Sequence, residues 1–482
     1  MKTESFWKPL VLFASLLTIL VAPLKAQGPG QDLHLKTYAS ALPVSAGNNQ
    51  AEQASSQSGP TAPGLTLEEL LQMARANNPT LGQAKAGIRE AAGRTLQAGL
   101  WPNPTVGYAG DEIRGGSFGG GEHGVFIQQN VILGGKLGLD RKIFAEEGKQ
   151  TEQEAEEQRL RVENGVRIAF YQSLAAQQMV QIRTKLSGLA KDAVETTQQL
   201  FNVGQADQPD LLQAQVEEDE ANVAVITAQQ DQQRAWGVLA AVVGRPTMAL
   251  ARLEGNLENL PSVDADQIVQ TILRDSPAVK IAQLGVTRAD AALTRAKREI
   301  IPDLSLRAGL SNDFESLGAT PPRTVGLVGF AEVGVNLRLF DRNQGNVLAA
   351  RADLGRANLE VQRVALVLRQ MTAPVLQNYA SSRAVAETYK TRTLPNAQRA
   401  YELYLEKYRE GAAAYPQVLI AQKMLFQLQT SYISALEGVW VNAVTLQGLL
   451  LTDGLDLPTA PGEFDRPVRE INLPVSETPG AR

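Results

Sequence analysis

Across residues 137–203 apolar and small side chains recur at steps of three and four, most clearly at Ile182, Leu186, Leu189, Ala193, Thr197 and Leu200. That spacing is the seam of a helix in a coiled coil, and no proline interrupts it. A shorter helix is expected over 65–100, where Thr66 stands as N-cap and Glu69, three residues on, completes a capping box. After a break from Gly204 to Pro209, a third helix is expected over 210–243. At ~1.5 Å per residue the middle helix is ~100 Å long, and the two shorter ones placed end to end match it as an antiparallel partner.

Four other runs change the period from helical to strand-like. Residues 105–113 and 122–133 form one pair, joined by glycine-rich 115–121; residues 303–311 and 325–340 form the other. In 303–311, Leu304, Leu306, Ala308 and Leu310 alternate with Ser305, Arg307, Gly309 and Ser311. In 325–340, Leu327, Ala331, Val333, Val335, Leu337 and Leu339 oppose Glu332, Gly334, Asn336 and Arg338. One apolar and one polar face suit a soluble half-buried sheet, or tilted transmembrane strands of about ten residues. An open sheet in lipid leaves backbone groups unpaired at several kcal/mol each, so membrane insertion requires further copies to close a barrel. Two copies or three satisfy that requirement equally.

The pattern repeats once, at an offset of about 200 residues. Asn77-Asn78-Pro79 matches Asp275-Ser276-Pro277, and Trp101-Pro102-Asn103-Pro104 matches Ile301-Pro302-Asp303. Gly204, Pro209 and Ala214-Gln215 match Gly411, Pro416 and Ala421-Gln422 at identical spacing. The chain is therefore a duplicated unit, 65–253 and 265–452, each reading helix, two strands, long helix, helix. In the second unit helices are expected over 265–300, 346–410 and 417–451, with Pro374 and Pro395 kinking the long one and marking a belt midway.

Composition narrows the compartment. Lys2 and Lys8 precede an apolar run over 10–22, and a small-residue site follows at Ala26, so 1–26 reads as an export signal peptide. Residues 27–64 and 457–482 are aperiodic and rich in Pro, Gly and Ser, a flexible leader and a disordered tail. The 482 residues carry a net charge of -5 with both signs interspersed, which argues against nucleic acid as a partner. With no cysteine, disulfides, thiol catalysis and a lipid-accepting cysteine are all excluded. The two histidines, His34 and His123, make no metal cluster. No catalytic arrangement stands out: Gly134-Gly135-Lys136 lacks the upstream glycine of a phosphate loop, and 341–345 departs from a calcium loop. No enzyme activity and no cofactor are expected.

Taken in order along some 390 residues, these features resemble the TolC family of outer-membrane efflux proteins. The resemblance implies a mostly α fold with a membrane β-barrel portion: long antiparallel coiled-coil helices forming a periplasmic α-barrel, plus four transmembrane β-strands per protomer. It implies a homotrimer embedded in outer-membrane lipid, fed by a periplasmic adaptor and an inner-membrane pump of the resistance-nodulation-division (RND) type. The run Ile132-Leu133-Gly134-Gly135-Lys136 is similar to the strand-to-helix corner of the branch serving heavy-metal pumps. By the same resemblance Tyr408 matches a constriction tyrosine and Asp210 its acidic partner. Gln417 and Ile420 stand where relatives carry an aspartate ring, and Ala413 replaces a constriction arginine. Gly204, Pro209, Gly411 and Pro416 mark the helix-turn tips, the place of gate and adaptor docking. The other reading of the same pattern is a secreted coiled-coil scaffold whose strands form a small soluble domain.

Overall fold

The computed structural model describes residues 64–113, 121–204, 206–318, 323–410, 412 and 415–456. The expected signal peptide, leader residues 27–63, hairpin residues 115–120, Gly411, Ala413 and the tail 457–482 lie outside them.

The first unit runs α1 (Leu67–Asn77), α2 (Pro79–Ala98), β1 (Thr105–Asp111), β2 (Glu122–Val131), α3 (Lys136–Asn202) and α4 (Gln208–Val243). The second runs α5 (Ala265–Asp275), α6 (Pro277–Arg298), β3 (Leu304–Leu317), β4 (Arg323–Val335), α7 (Gln344–Thr388), a π-helical turn (Tyr389–Thr393), α8 (Leu394–Arg409) and α9 (Tyr415–Gln447). The Thr66 capping box forms as expected, with Glu69 accepting from the Thr66 backbone at 2.9 Å. α3 is 67 residues long and lies antiparallel to α2 along its first part and α4 along its last. Thr95 donates to the Phe144 carbonyl at 3.0 Å, and Ser187 to Asn222 at 2.6 Å. α4 meets α3 through Ala214, Ala221, Ala228 and Ala235, buried at every seventh residue, and small side chains at that interval let two helices pack closely.

Three expectations need correction. The helices expected over 65–100 and 265–300 are each two helices, broken at Asn78 and Ser276, whose ψ angles of 121° and 128° are extended. The following proline disfavours the helical conformation at those residues, and the chain leaves the helix there. Asn78 turns the break into a cap, accepting from the Thr80 backbone at 3.0 Å and donating to the Val242 carbonyl at 2.8 Å. Second, the long helix expected over 346–410 is not one α-helix: α7 carries Pro374 inside its 45 residues and ends at Thr388. The irregularity is the π turn ahead of Pro395, where Leu394 donates to the Tyr389 carbonyl; the widened turn makes room for a ring that would otherwise press on the preceding turn. Third, β3 extends beyond 311 to Leu317, while β4 ends at Val335, so Leu337 and Leu339 fall outside the sheet.

The largest core lies where α1, α3, α4, α7 and α9 meet, around Leu70, Val166, Phe170, Leu239, Leu436 and Leu446. The short helices α1 and α5 and the segment 245–263 wrap it: Tyr379 donates to the Pro261 carbonyl at 2.6 Å, and Trp440 to that of Leu257 at 2.8 Å. No helix among the described residues is long and apolar enough to cross a membrane.

Candidate channel wall and gate

The four strands form one antiparallel sheet in the order β1-β2-β3-β4, so β2 and β3 join the two units. Register sets the faces. Val106 pairs with Ile127, Ile127 with Ala308 and Ala308 with Ala331, which places Val106, Tyr108, Val125, Ile127, Leu304, Leu306, Leu310, Leu327, Val333 and Val335 on one side. Most of them are exposed, Leu327 at 75% and Val106 at 73%. So broad an unpartnered apolar sheet face demands a non-aqueous surface.

The other side carries Asp111, Glu122 and Asp313 in one row, with Gln128, Ser305, Arg307, Ser311 and Glu332. Ser311 donates to Glu122. The Arg307 guanidinium lies 4.3 Å over the Phe126 ring and 5.5 Å from that of Phe330, with Glu332 3.9 Å away. Each ring covers a glycine: a Cβ on Gly107 would sit 2.6 Å from Phe126, and one on Gly309 2.6 Å from Phe330. Arg307 is thus a cation held against two rings on the polar face of the sheet. Its place on the polar face was legible in the alternation; the aromatic clamp was not, because it depends on cross-strand register.

The strands hand over to helices at two corners. Gly134 and Gly135 take φ of 72° and 70°, the left-handed region that glycine enters at least cost, and Lys136 then opens α3. Trp101 stands exposed beside the sheet, an aromatic position suited to a membrane–water boundary.

At the opposite end of the long helices, Gly204 turns the chain at φ 75° and Pro209 sits in the first turn of α4. Pro416 holds the matching second position of α9. Asp210 is exposed, and its carboxylate accepts from the Asp207 backbone at 3.2 Å, a local helix-start contact favoured by the dipole. Tyr408 is half-buried on the last turn of α8; Gln417 and Ile420 are exposed on α9, Ile420 at 69%. Leu212, Val216, Val223 and Ile226 form an exposed apolar stripe on α4, turned away from its alanine seam, that the sequence reading did not single out. Behind the tips a cavity of about 320 Å³ opens between α3, α4 and α9, lined by Leu186, Leu189, Ala193 and Ala221 and rimmed by Glu220 and Lys423 3.9 Å apart.

Comparison with known proteins decides between channel and scaffold. The chain is 27% identical over 80% of its length, and 90% of the relative's, to the cobalt-zinc-cadmium resistance protein CzcC of Cupriavidus metallidurans. It is 26% identical over 61% of its length, and 66% of the relative's, to the nickel-cobalt-cadmium resistance protein NccC of Alcaligenes xylosoxydans xylosoxydans. In fold it is similar to a crystal structure of CusC, with a TM-score of 0.66 at 18% identity, covering 80% of this chain and 92% of that one. Residues 70–245 and 268–450 match the family described as Outer membrane efflux protein, one match to each half of the duplication. That is a family of channels rather than enzymes, and its members sit in the outer membrane with a helical tunnel in the periplasm. The chain belongs to the outer membrane efflux protein family, and it is an outer-membrane efflux duct.

Proposed function

We propose that three copies join their sheets edge to edge into one twelve-stranded barrel, and that the resulting duct passively discharges divalent metal cations delivered from the periplasm. One observation carries the closure: a sheet with an apolar and a polar face whose outer strands β1 and β4 each have a free edge among the described residues. In lipid those edges require partners, and identical copies supply them without a further component. The apolar face then meets lipid, and the polar face with Arg307 and the carboxylate row lines the lumen.

The driving energy comes from an inner-membrane pump of the RND type through a periplasmic adaptor, which docks at the tips marked by Gly204, Pro209, Gly411 and Pro416. Asp210 and Tyr408 of adjoining hairpins hold the periplasmic end shut, with Gln417 and Ile420 lining the constriction. In that arrangement Asp210 exchanges its local helix-start contact for the tyrosine hydroxyl. Metal as cargo is supported by the names of the two resistance relatives and by the corner 132–136.

Tolerance of a deletion strain tests the cargo. Loss of the gene lowers the tolerated concentration of cobalt, zinc or cadmium, and the intact gene restores it. Unchanged metal tolerance with raised drug sensitivity overturns metal as cargo and leaves the duct in place.

A further inference from the structure

Along the first part of α3 the face turned to α6 carries an acid at every seventh residue: Asp140, Glu147 and Glu154, all buried. The antiparallel α6 presents Arg295, Arg288 and Ile281 at the same interval, also buried. Arg295 donates to Asp140 at 2.7 Å, and Arg288 lies 3.9 Å from Glu147, whose other oxygen takes Arg94 of α2 at 3.2 Å. The same register puts Ile281 on α6 at the level of Glu154, close to where Gln150 donates to the Ile281 carbonyl at 3.1 Å. At the third level α6 therefore offers isoleucine where the first two offer arginine.

Glu154 is 5% exposed, and its Oε2 has no hydrogen-bond partner among the described residues. The charges that reach it are Glu157 and Glu147 of its own helix. From α6 the packed face offers Ile281 and Ala282 at this level, with Arg288 one rung away beside Glu147 and Lys280 exposed. From α2, the register set by Gln158 with Thr80 and Glu147 with Arg94 places buried Ala84 there, with Lys85 exposed.

We propose that this rung is a pH-sensitive joint between α3 and α6: Glu154 is held in it as the neutral acid, and ionisation opens the seam locally. A buried carboxylate with one oxygen unpartnered, two further acids as the charges that reach it and only the Thr151 hydroxyl to offset the burial recovers little of its lost hydration. Burial is the main cause that lifts this carboxyl to about 7, the Thr151 hydrogen bond opposes it, and Glu157 and Glu147 add to it. Even Asp140, with Arg295 at hydrogen-bond distance, is raised by burial. The folded seam holds the proton more tightly than the opened one, whose glutamate has the ordinary value of 4.5. The contribution of Glu154 is therefore greatest below 4.5, falls as pH rises to about 7, and is flat above. The loosened rung bears on the chain breaks, because Gln158, one turn along α3, donates to Thr80 at 2.9 Å at the start of α2, and α6 begins at Pro277.

The test is hydrogen–deuterium exchange on the full-length, detergent-solubilised protein between pH 5.5 and 8.5, corrected for intrinsic exchange, in peptides covering 147–158 and 277–285. The wild-type opening constant of these peptides rises by about 30-fold across that range, the value expected from proton linkage for a carboxyl moved from 4.5 to about 7. Glu154→Gln abolishes the rise because the amide does not titrate. Ile281→Arg abolishes it by completing the third rung, and serves if the glutamine variant fails to assemble. A wild-type rise that persists in either variant, or a flat wild-type profile, overturns the proposal.

Discussion

The ammonium of Lys136, 1% exposed, lies 3.0 Å from the carboxylate of Asp303, 167 residues away in the chain. Lys136 opens α3 in the first unit, and Asp303 immediately precedes β3 in the second. The contact ties together the two places where sheet hands over to helix. Asp303 also accepts from the Leu133 backbone at 3.0 Å, and Glu299, 3.9 Å from Lys136, gathers Arg295 and Arg338. A knot of charge thus stands between the barrel strands and the tunnel helices.

The two sides of that pair should differ in mutation. Asp303→Asn leaves a buried ammonium with only distant compensation and is expected to cost about 3 kcal/mol, whereas Lys136→Met removes the buried charge and leaves a partly hydrated aspartate, at about 1 kcal/mol. Thermal unfolding of the detergent-solubilised protein measures both, and equal losses would contradict the asymmetry.

The corner itself depends on backbone freedom. Gly135→Ala meets no atom within 4 Å and is expected to cost about 1 kcal/mol for its left-handed φ alone. Gly134→Ala adds a Cβ 2.8 Å from Ile301 and should cost more. A Gly134 variant as stable as wild type in the same unfolding assay would remove the corner from the account.

Face assignment in the sheet can be checked by placing one charge on each side. Val333→Arg puts a cation on the apolar face and is expected to cost about 2–4 kcal/mol in the membrane, seen as loss of outer-membrane protein. Glu332→Gln, on the polar face next in sequence, should assemble normally. The reverse pattern would mean that the faces are exchanged.

At the gate, Asp210→Ala and Tyr408→Phe, singly and together, are expected to raise single-channel conductance in planar bilayers. If they share one contact, the double variant exceeds the larger single effect little. Unchanged conductance in all three would remove these residues from the closure.

Much of this architecture was legible before the structure. The period of three and four over 137–203 and the period of two in the strands each encode one local geometry, and both survive in the structure; of the repeated Gly-Pro marks, Gly204, Pro209 and Pro416 stand at helix ends among the described residues. What escaped depends on position in space. Asn78-Pro79 and Ser276-Pro277 were visible as repeated marks, yet their action as helix breaks was outweighed by apolar residues continuing on both sides. The Ala214 to Ala235 heptad lies in the sequence too, but alanine signals a close seam only once its partner helix is known. The Phe126–Arg307–Phe330 clamp joins three strands, and the acid–arginine ladder joins helices more than a hundred residues apart; no local period reports either.

Identical copies closing the two open edges of the sheet within the outer membrane fix both the location and the mass of the assembly. Membrane fractionation followed by mass determination of the detergent-solubilised protein reads the two together. The expected result is outer-membrane protein that needs detergent for extraction and has the mass of three chains of 51.9 kDa, less any residues removed on export. A species extracted by buffer alone, or one with the mass of a single chain, would contradict it.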